Sequence, residues 1–227
     1  MSRTLSGPRR IEEVRGRPFA LSVPAEVMDR IQAGVMRTTY RGVPFFKSPF
    51  DIALYLQLLS KLRPRTVIEI GTKAGGSALW FADMLSAAGE GRIVSVDIKP
   101  AAVIADPRIT FLAGDAKDLG AVLSAELLAR SPRPWLVVED SSHRYPEVAA
   151  VLAFFHDYLH SGDYIVVEDG VVSQLTDPRY AIYEDGPNRA VADFLHAHPD
   201  GYRIDEALCD HYGRNVTYNP NGWIRRV

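Results

Sequence analysis

The feature that most restricts the fold of this chain is a rhythm. Short β-branched runs, each stopping at a glycine or an acid, alternate with stretches of helical periodicity. Thr66-Val67-Ile68-Glu69-Ile70 runs into Gly71-Thr72-Lys73-Ala74-Gly75-Gly76, and a helical pattern opens at Ser77. Ile93-Val94-Ser95-Val96, Ile109-Thr110-Phe111-Leu112, Trp135-Leu136-Val137-Val138 and Tyr164-Ile165-Val166-Val167 repeat the theme. Apolar runs of this length suit strands buried on both faces, the condition of a parallel sheet between helices. Right-handed crossovers follow, so the expected fold is α/β: a Rossmann-like, mostly parallel sheet.

The flanks read differently. A short helix is expected near Pro24 to Gln32. Ser48-Pro49 opens another, with Asp51 at the capping-box position and Ile52, Tyr55, Leu56 and Leu59 on one face. After Pro146, the residues Val148, Val151, Leu152, Phe155 and Leu159 are in helical register, and a last helix spans Pro187 to His196. The stretches Tyr202 to Cys209 and Asn215 to Tyr218 read as a C-terminal antiparallel hairpin finishing the sheet. Residues 1–47 are expected to be an N-terminal helical extension acting as arm or lid, and residues 48–227 the main domain.

Composition narrows the function. The chain has 227 residues, 47% of them hydrophobic and 24% charged, a profile that supports a core without disulfides. A net charge of -2 gives no overall pull toward nucleic acid, and no apolar run is long enough to span a membrane. The single cysteine, Cys209, lies in a strand-like stretch and reads as a packing thiol; a reducing, cytoplasmic setting is expected. Asn215-Val216-Thr217 matches a glycosylation acceptor by chance. Arg3, Arg9, Arg10, Arg15 and Arg17 form a basic arm, read as a solvated terminus ahead of a grip on a partner chain or phosphate. His156, His160, His196 and His198 read as surface residues.

In an open parallel sheet, ligands bind beyond the carboxyl ends of the strands, and that is where the polar residues fall. Gly71, Gly75 and Gly76 let a ligand approach the backbone at a helix N-terminus. Their spacing departs from the dinucleotide G-x-G-x-x-G, which disfavours NAD. Asp97 stands where a carboxylate accepts from both ribose hydroxyls of an adenosine. Gly114-Asp115-Ala116 offers an acid to the adenine amino group. Together they point to S-adenosylmethionine (SAM), and the whole pattern to a class I methyltransferase sheet. Asp140, after the fourth strand, and Glu168 and Asp169, after the fifth, should converge. Three carboxylates in one pocket call for a cation, and oxygen donors suit Mg²⁺ or Ca²⁺. His143 is placed to take a proton from a hydroxyl held there.

The stretch Lys47-Ser48-Pro49-Phe50-Asp51, then Glu69 through Ser77, Val96-Asp97, Gly114-Asp115, Glu139-Asp140-Ser141-Ser142-His143-Arg144-Tyr145, Gly162 through Gly170 and Gly186-Pro187 resemble the CmcI-like cephalosporin hydroxylase family. That resemblance covers roughly residues 40 to 227 and implies a SAM-dependent, Mg²⁺-assisted O-methyltransferase, with members that modify sugars and antibiotics. Carried over by motif, Glu69, Gly71, Gly75, Ser77, Asp97, Asp115 and Ala116 would serve SAM. Asp140, Glu168 and Asp169 would hold the metal, with His143 as catalytic base. A small-molecule hydroxyl is the expected acceptor; carboxyl methylation and a SAM-binding accessory role are the alternatives. Tyr40, Phe45 and Phe46 are either a cover over the site or core. Homo-oligomerisation through the arm is expected, to be tested by solution mass.

Overall fold

The computed structural model describes residues 11–89, 91–99 and 104–227. In chain order it contains β1 (Glu13–Val14), β2 (Arg17–Pro18), α1 (Ala25–Val35), β3 (Thr39–Tyr40), β4 (Val43–Pro44), α2 (Pro49–Leu62), β5 (Thr66–Ile70), α3 (Gly76–Ala87), β6 (Arg92–Asp97) and β7 (Ile109–Ala113). There follow α4 (Ala125–Ala129), β8 (Trp135–Glu139), α5 (Tyr145–His156), β9 (Tyr164–Val167), α6 (Gly186–Ala197), β10 (Tyr202–Ile204), α7 (Glu206–Cys209) and β11 (Trp223–Arg226). Seven strands form one sheet in the order β10-β11-β9-β8-β5-β6-β7. The five from β5 to β9 are parallel, and β11 runs antiparallel to both of its neighbours.

Side-chain alternation sorts the core into two layers. Ile68, Ile70, Val94, Val96, Val137, Ile165 and Val167 face α5 and α6, meeting Val148, Val151, Leu152, Phe155, Val191 and Leu195. Their neighbours Val67, Ile93, Leu136, Val138 and Val166 face α2 and α3, meeting Leu54, Tyr55, Leu58, Phe81 and Leu85. All five residues of β5 and of β8 are buried, the expected state of central parallel strands. The α2 cap forms as read: the Ser48 hydroxyl accepts from the Asp51 N–H and donates to its carboxylate. Leu56, assigned to the buried face, is instead exposed, and Leu54 and Leu58 take that face with Tyr55 and Leu59.

The tail corrects the hairpin. β10 ends at Ile204, Cys209 lies in α7 and not in a strand, and the partner of β10 is β11, not Asn215 to Tyr218. Residues 215–221 form an irregular buried loop satisfied by side chains. Asn215 and Asn221 both donate to the Pro18 carbonyl, and Asp51 accepts from the Thr217 hydroxyl and the Tyr218 N–H. Asn215 is fully buried, which makes it no glycosylation acceptor in the folded chain. Burial pushes the Cys209 thiol up to about 12, as suits a packing residue.

Arg15 and Arg17 are anchored by hydrogen bonds, Arg15 at the exposed surface and Arg17 half-buried. Arg15 donates to the carbonyls of Leu195, His198 and Pro199 around the end of α6 and to that of Tyr202 at the start of β10, while Arg17 pairs with Glu206 and Asp210 and donates to Asn221. Arg3, Arg9 and Arg10 lie outside the described residues. His160 and His196 are exposed, but His156 and His198 are half-buried and stacked 3.8 Å apart, with His156 Nδ1 3.1 Å from the Tyr202 hydroxyl. Among the described residues, no helix is long and apolar enough to cross a membrane.

Candidate active site

A cavity of about 490 Å³ opens beyond the carboxyl ends of β5, β6, β7, β8 and β9, a volume that holds a nucleoside-sized ligand with room to spare. Its floor at β5 is the turn Gly71 to Gly76. Gly71 has φ 106°, and a Cβ there would meet the Asp140 carbonyl oxygen at 2.0 Å, so only glycine fits between β5 and β8. A Cβ on Gly76 would meet the Pro44 carbonyl oxygen at 2.1 Å, because the segment before α2 crosses the start of α3. That close crossing brings Phe46 and Lys47 into the cavity wall. Phe46 thus lines the site, whereas Phe45 is core, packed against Trp80.

Asp97 closes β6. Its carboxylate accepts from the Lys73 N–H on one oxygen and the Lys99 N–H on the other, both at 2.8 Å. Two lone-pair positions remain open to a diol. Ile98 beside it is 69% exposed and forms an apolar wall of the cavity. Asp115 caps the 3-10 turn after β7 by accepting from the Lys117 N–H, and Ala116 and Ser77 complete this end of the cavity.

At the centre, oxygens of Asp140 and Asp169 and a ring nitrogen of His143 lie within 4.8 Å of one another. His143 Nε2 stands 3.4 Å from Asp169 Oδ2, and its Nδ1 is buried with no hydrogen-bond partner among the described residues. Both His143 and Asp169 adopt left-handed backbone, φ 57° and 58°, a conformation that costs side-chain-bearing residues free energy and collects at functional sites. Asp169 is held there by its N–H, which donates to Asn219 Oδ1. Burial raises the Asp169 carboxyl pKa against the pull of His143, and the nearby Asp140 adds to the rise.

The structure alters three of the expected assignments. Glu168 stands outside the Asp140, His143 and Asp169 group and does not line the cavity: one oxygen accepts from the Tyr55 hydroxyl and the other from Lys47 Nζ, both at 2.5 Å. Glu69 is also below the floor, fully buried, accepting from the Ser95 hydroxyl; burial pushes it up to about 7. Gly75 serves as the left-handed cap of α3 behind the wall. Gly71, Ser77, Asp97, Asp115, Ala116, Asp140, His143 and Asp169 do line the cavity.

Sequence reasoning missed Lys47 as a site residue. Its side chain is 3% exposed, and its ammonium bridges Asp140 (2.6 Å) and Glu168, held protonated by those two carboxylates against the cost of burial. It also missed Gln32, Tyr180 and Tyr183, which line the far end, with Tyr183 edge-on to His143. No local pattern marks these residues, because their partners lie far along the chain.

This arrangement can be set beside known proteins. The family model for rhamnosyl O-methyltransferase/CmcI matches residues 32–227. A rhamnosyl O-methyltransferase of Mycobacterium tuberculosis (strain ATCC 25618 / H37Rv) is 30% identical over 198 residues, covering 84% of this chain and 78% of that protein. The rhamnosyl O-methyltransferase of Mycobacterium leprae (strain TN) is 32% identical over 199 residues, covering 83% of each. Among solved structures, an apo-structure of CmcI aligns with a TM-score of 0.65 at 23% identity, covering 85% of this chain and 77% of that one. CmcI described with Mg and SAM aligns at 0.63 and 25% identity over the same shares. The chain belongs to the rhamnosyl O-methyltransferase/CmcI family.

Proposed function

We propose that the protein is a SAM-dependent O-methyltransferase, assisted by Mg²⁺ or another divalent cation, acting on a hydroxyl of a sugar-bearing small molecule. The observation that carries this reading is one cavity wall on which Asp97, the Gly71 turn and the Asp140, His143 and Asp169 group stand together. The relatives named as rhamnosyl O-methyltransferases support the sugar.

The residues fit both ligands. The Gly71 turn leaves backbone exposed where SAM's amino-acid end would lie, Asp97 has acceptor capacity for the ribose, and Ile98 offers an apolar face to the adenine. Asp140 and Asp169 are hard oxygen donors whose mutual repulsion a divalent cation relieves. When bound, SAM supplies an electrophilic methyl group, and a divalent cation supplies charge that favours a deprotonated hydroxyl. Lys47 fixes Asp140 by one oxygen, which leaves the other for the cation. Glu168 anchors Lys47. His143 accepts the acceptor's proton at Nε2, and Asp169 beside it stabilises the imidazolium.

The test is product formation. Incubated with SAM, MgCl₂ and methyl α-L-rhamnopyranoside, the protein should yield a mono-methylated glycoside by mass spectrometry. EDTA should suppress the product, and His143→Ala should lower its rate by about 100-fold or more, the usual worth of a positioned base. Methylation undiminished by both treatments would overturn the metal and base assignments. SAM bound but never consumed, across glycosides and other polyols, would overturn the enzymatic reading.

A further inference from the structure

We infer that Tyr180, Tyr183 and Gln32 form an acceptor subsite that seats the ring of a neutral pyranoside beside His143. This rests on the methyltransferase reading above. The cavity is longer than the methyl donor's needs: beyond His143 it continues between α1 and the 3-10 turn Pro178–Tyr183, lined by Gln32, Met36, Val172, Tyr180 and Tyr183. The Tyr183 ring meets the His143 imidazole edge-on, 5.4 Å between centroids, so a group lying on Tyr183 is adjacent to the proposed base. Tyr180 follows at 6.5 Å, tilted 37° from Tyr183, extending the aromatic surface away from the reacting centre.

The polar groups at this end are few and specific. Gln32 Nε2 donates to the Tyr180 hydroxyl at 2.8 Å, which leaves that hydroxyl's own proton free to donate. Gln32 Oε1 is buried with no partner among the described residues. An amide oxygen that lacks a donor and a hydroxyl that lacks an acceptor together suit a ligand hydroxyl, which both gives and takes. Met36 at the rim is half-exposed and adaptable.

Charge selects further. The cationic side chains lining the cavity are already engaged: Lys47 with Asp140 and Glu168, Lys117 with Glu147, Lys73 over the Phe46 ring. Among the described residues, no cationic side chain lines the Gln32, Tyr180 and Tyr183 end to pair with a charged substituent on the ring, whereas a neutral ring with C–H faces and hydroxyl edges matches aromatic face and amide alike.

The experiment is ligand-observed NMR titration of methyl α-L-rhamnopyranoside into the protein saturated with S-adenosylhomocysteine and Mg²⁺, with catechol as the planar diol control. Tyr183→Ala and Gln32→Leu should each weaken the glycoside by about 10-fold or more, as removing a stacking face or a buried hydroxyl partner does. Tyr183→Phe, which keeps the ring, should retain binding. S-adenosylhomocysteine affinity, read by calorimetry, should be unchanged in all three. Equal glycoside affinity in wild type, Tyr183→Ala and Gln32→Leu would overturn the subsite, as would loss in Tyr183→Phe equal to that in Tyr183→Ala. Binding of catechol but not glycoside by the wild type would overturn the acceptor class. Failure of S-adenosylhomocysteine to bind the wild type would instead sink the underlying methyltransferase reading.

Discussion

Single residues decide what the site can hold. Asp97 is the cleanest case, since its carboxylate is partly open and its loss removes no core contact. Asp97→Ala should weaken SAM by about 100-fold, two hydrogen bonds to a charged acceptor, with only a small drop in melting temperature from the exposed Lys73 and Lys99 N–H bonds it also removes; calorimetry and a thermal melt check both halves. Gly71→Ala should do worse, because the new methyl meets the Asp140 carbonyl and the backbone is left-handed. It should abolish SAM binding and lower stability together. Asp51 makes a different prediction. Burial pushes its carboxyl up to about 6, against hydrogen bonds from Thr217, Ser48 and the Tyr218 N–H. The folded state therefore binds that proton more tightly than the unfolded chain does. As pH rises from about 4 to about 6, the wild type should lose up to about 3 kcal/mol relative to Asp51→Asn. Urea unfolding of the two proteins across that range tests the slope, and parallel curves would refute the assignment. Asp97, Asp140 and His143 were legible because they stand where apolar runs stop. Lys47 was not, since its partners are 93 and 121 residues away.

At the scale of elements, the strands were legible and the tail was not, for one physical reason. β5, β8 and β9 bury every side chain, so their sequences are mostly apolar, with Thr66, Glu69 and Glu139 the buried polar exceptions. Residues 215–221 are buried too, but side-chain oxygens accept from the N–H groups of Asn215, Tyr218, Asn219 and Asn221, and a strand pattern misreads them. That loop matters to the site: Asn219 holds the Asp169 backbone, and Asp51 ties the loop to the start of α2. Ser48 caps α2 and donates to Asp51 at once, so Ser48→Ala should cost about 1–2 kcal/mol, measurable by denaturant unfolding. A cost near zero would show that the cap and the loop tie are independent of Ser48.

At the scale of the molecule, the sheet order brings the ends of β5, β6, β8 and β9 side by side, and the segment before α2 completes the cavity from outside the sheet. Residues 11–47 are therefore part of the site's architecture: Val14 and Phe19 join the main core, Gln32 and Met36 line the cavity, and Lys47 enters the acid cluster. The Arg15 clamp on the end of α6 fastens this segment. Arg15→Ala should raise amide hydrogen exchange across β1 and β2 while leaving β5 and β8 protected. The central claim is that the carboxyl end of the sheet binds SAM and a divalent cation together. Calorimetric titration of SAM, followed by Mg²⁺ into the SAM complex, tests it most directly in the wild type and in Asp169→Asn. The account predicts SAM binding in both proteins and Mg²⁺ binding that the variant loses. Mg²⁺ heat unchanged by the substitution would contradict the metal site, and an absence of SAM binding in the wild type would contradict the claim as a whole.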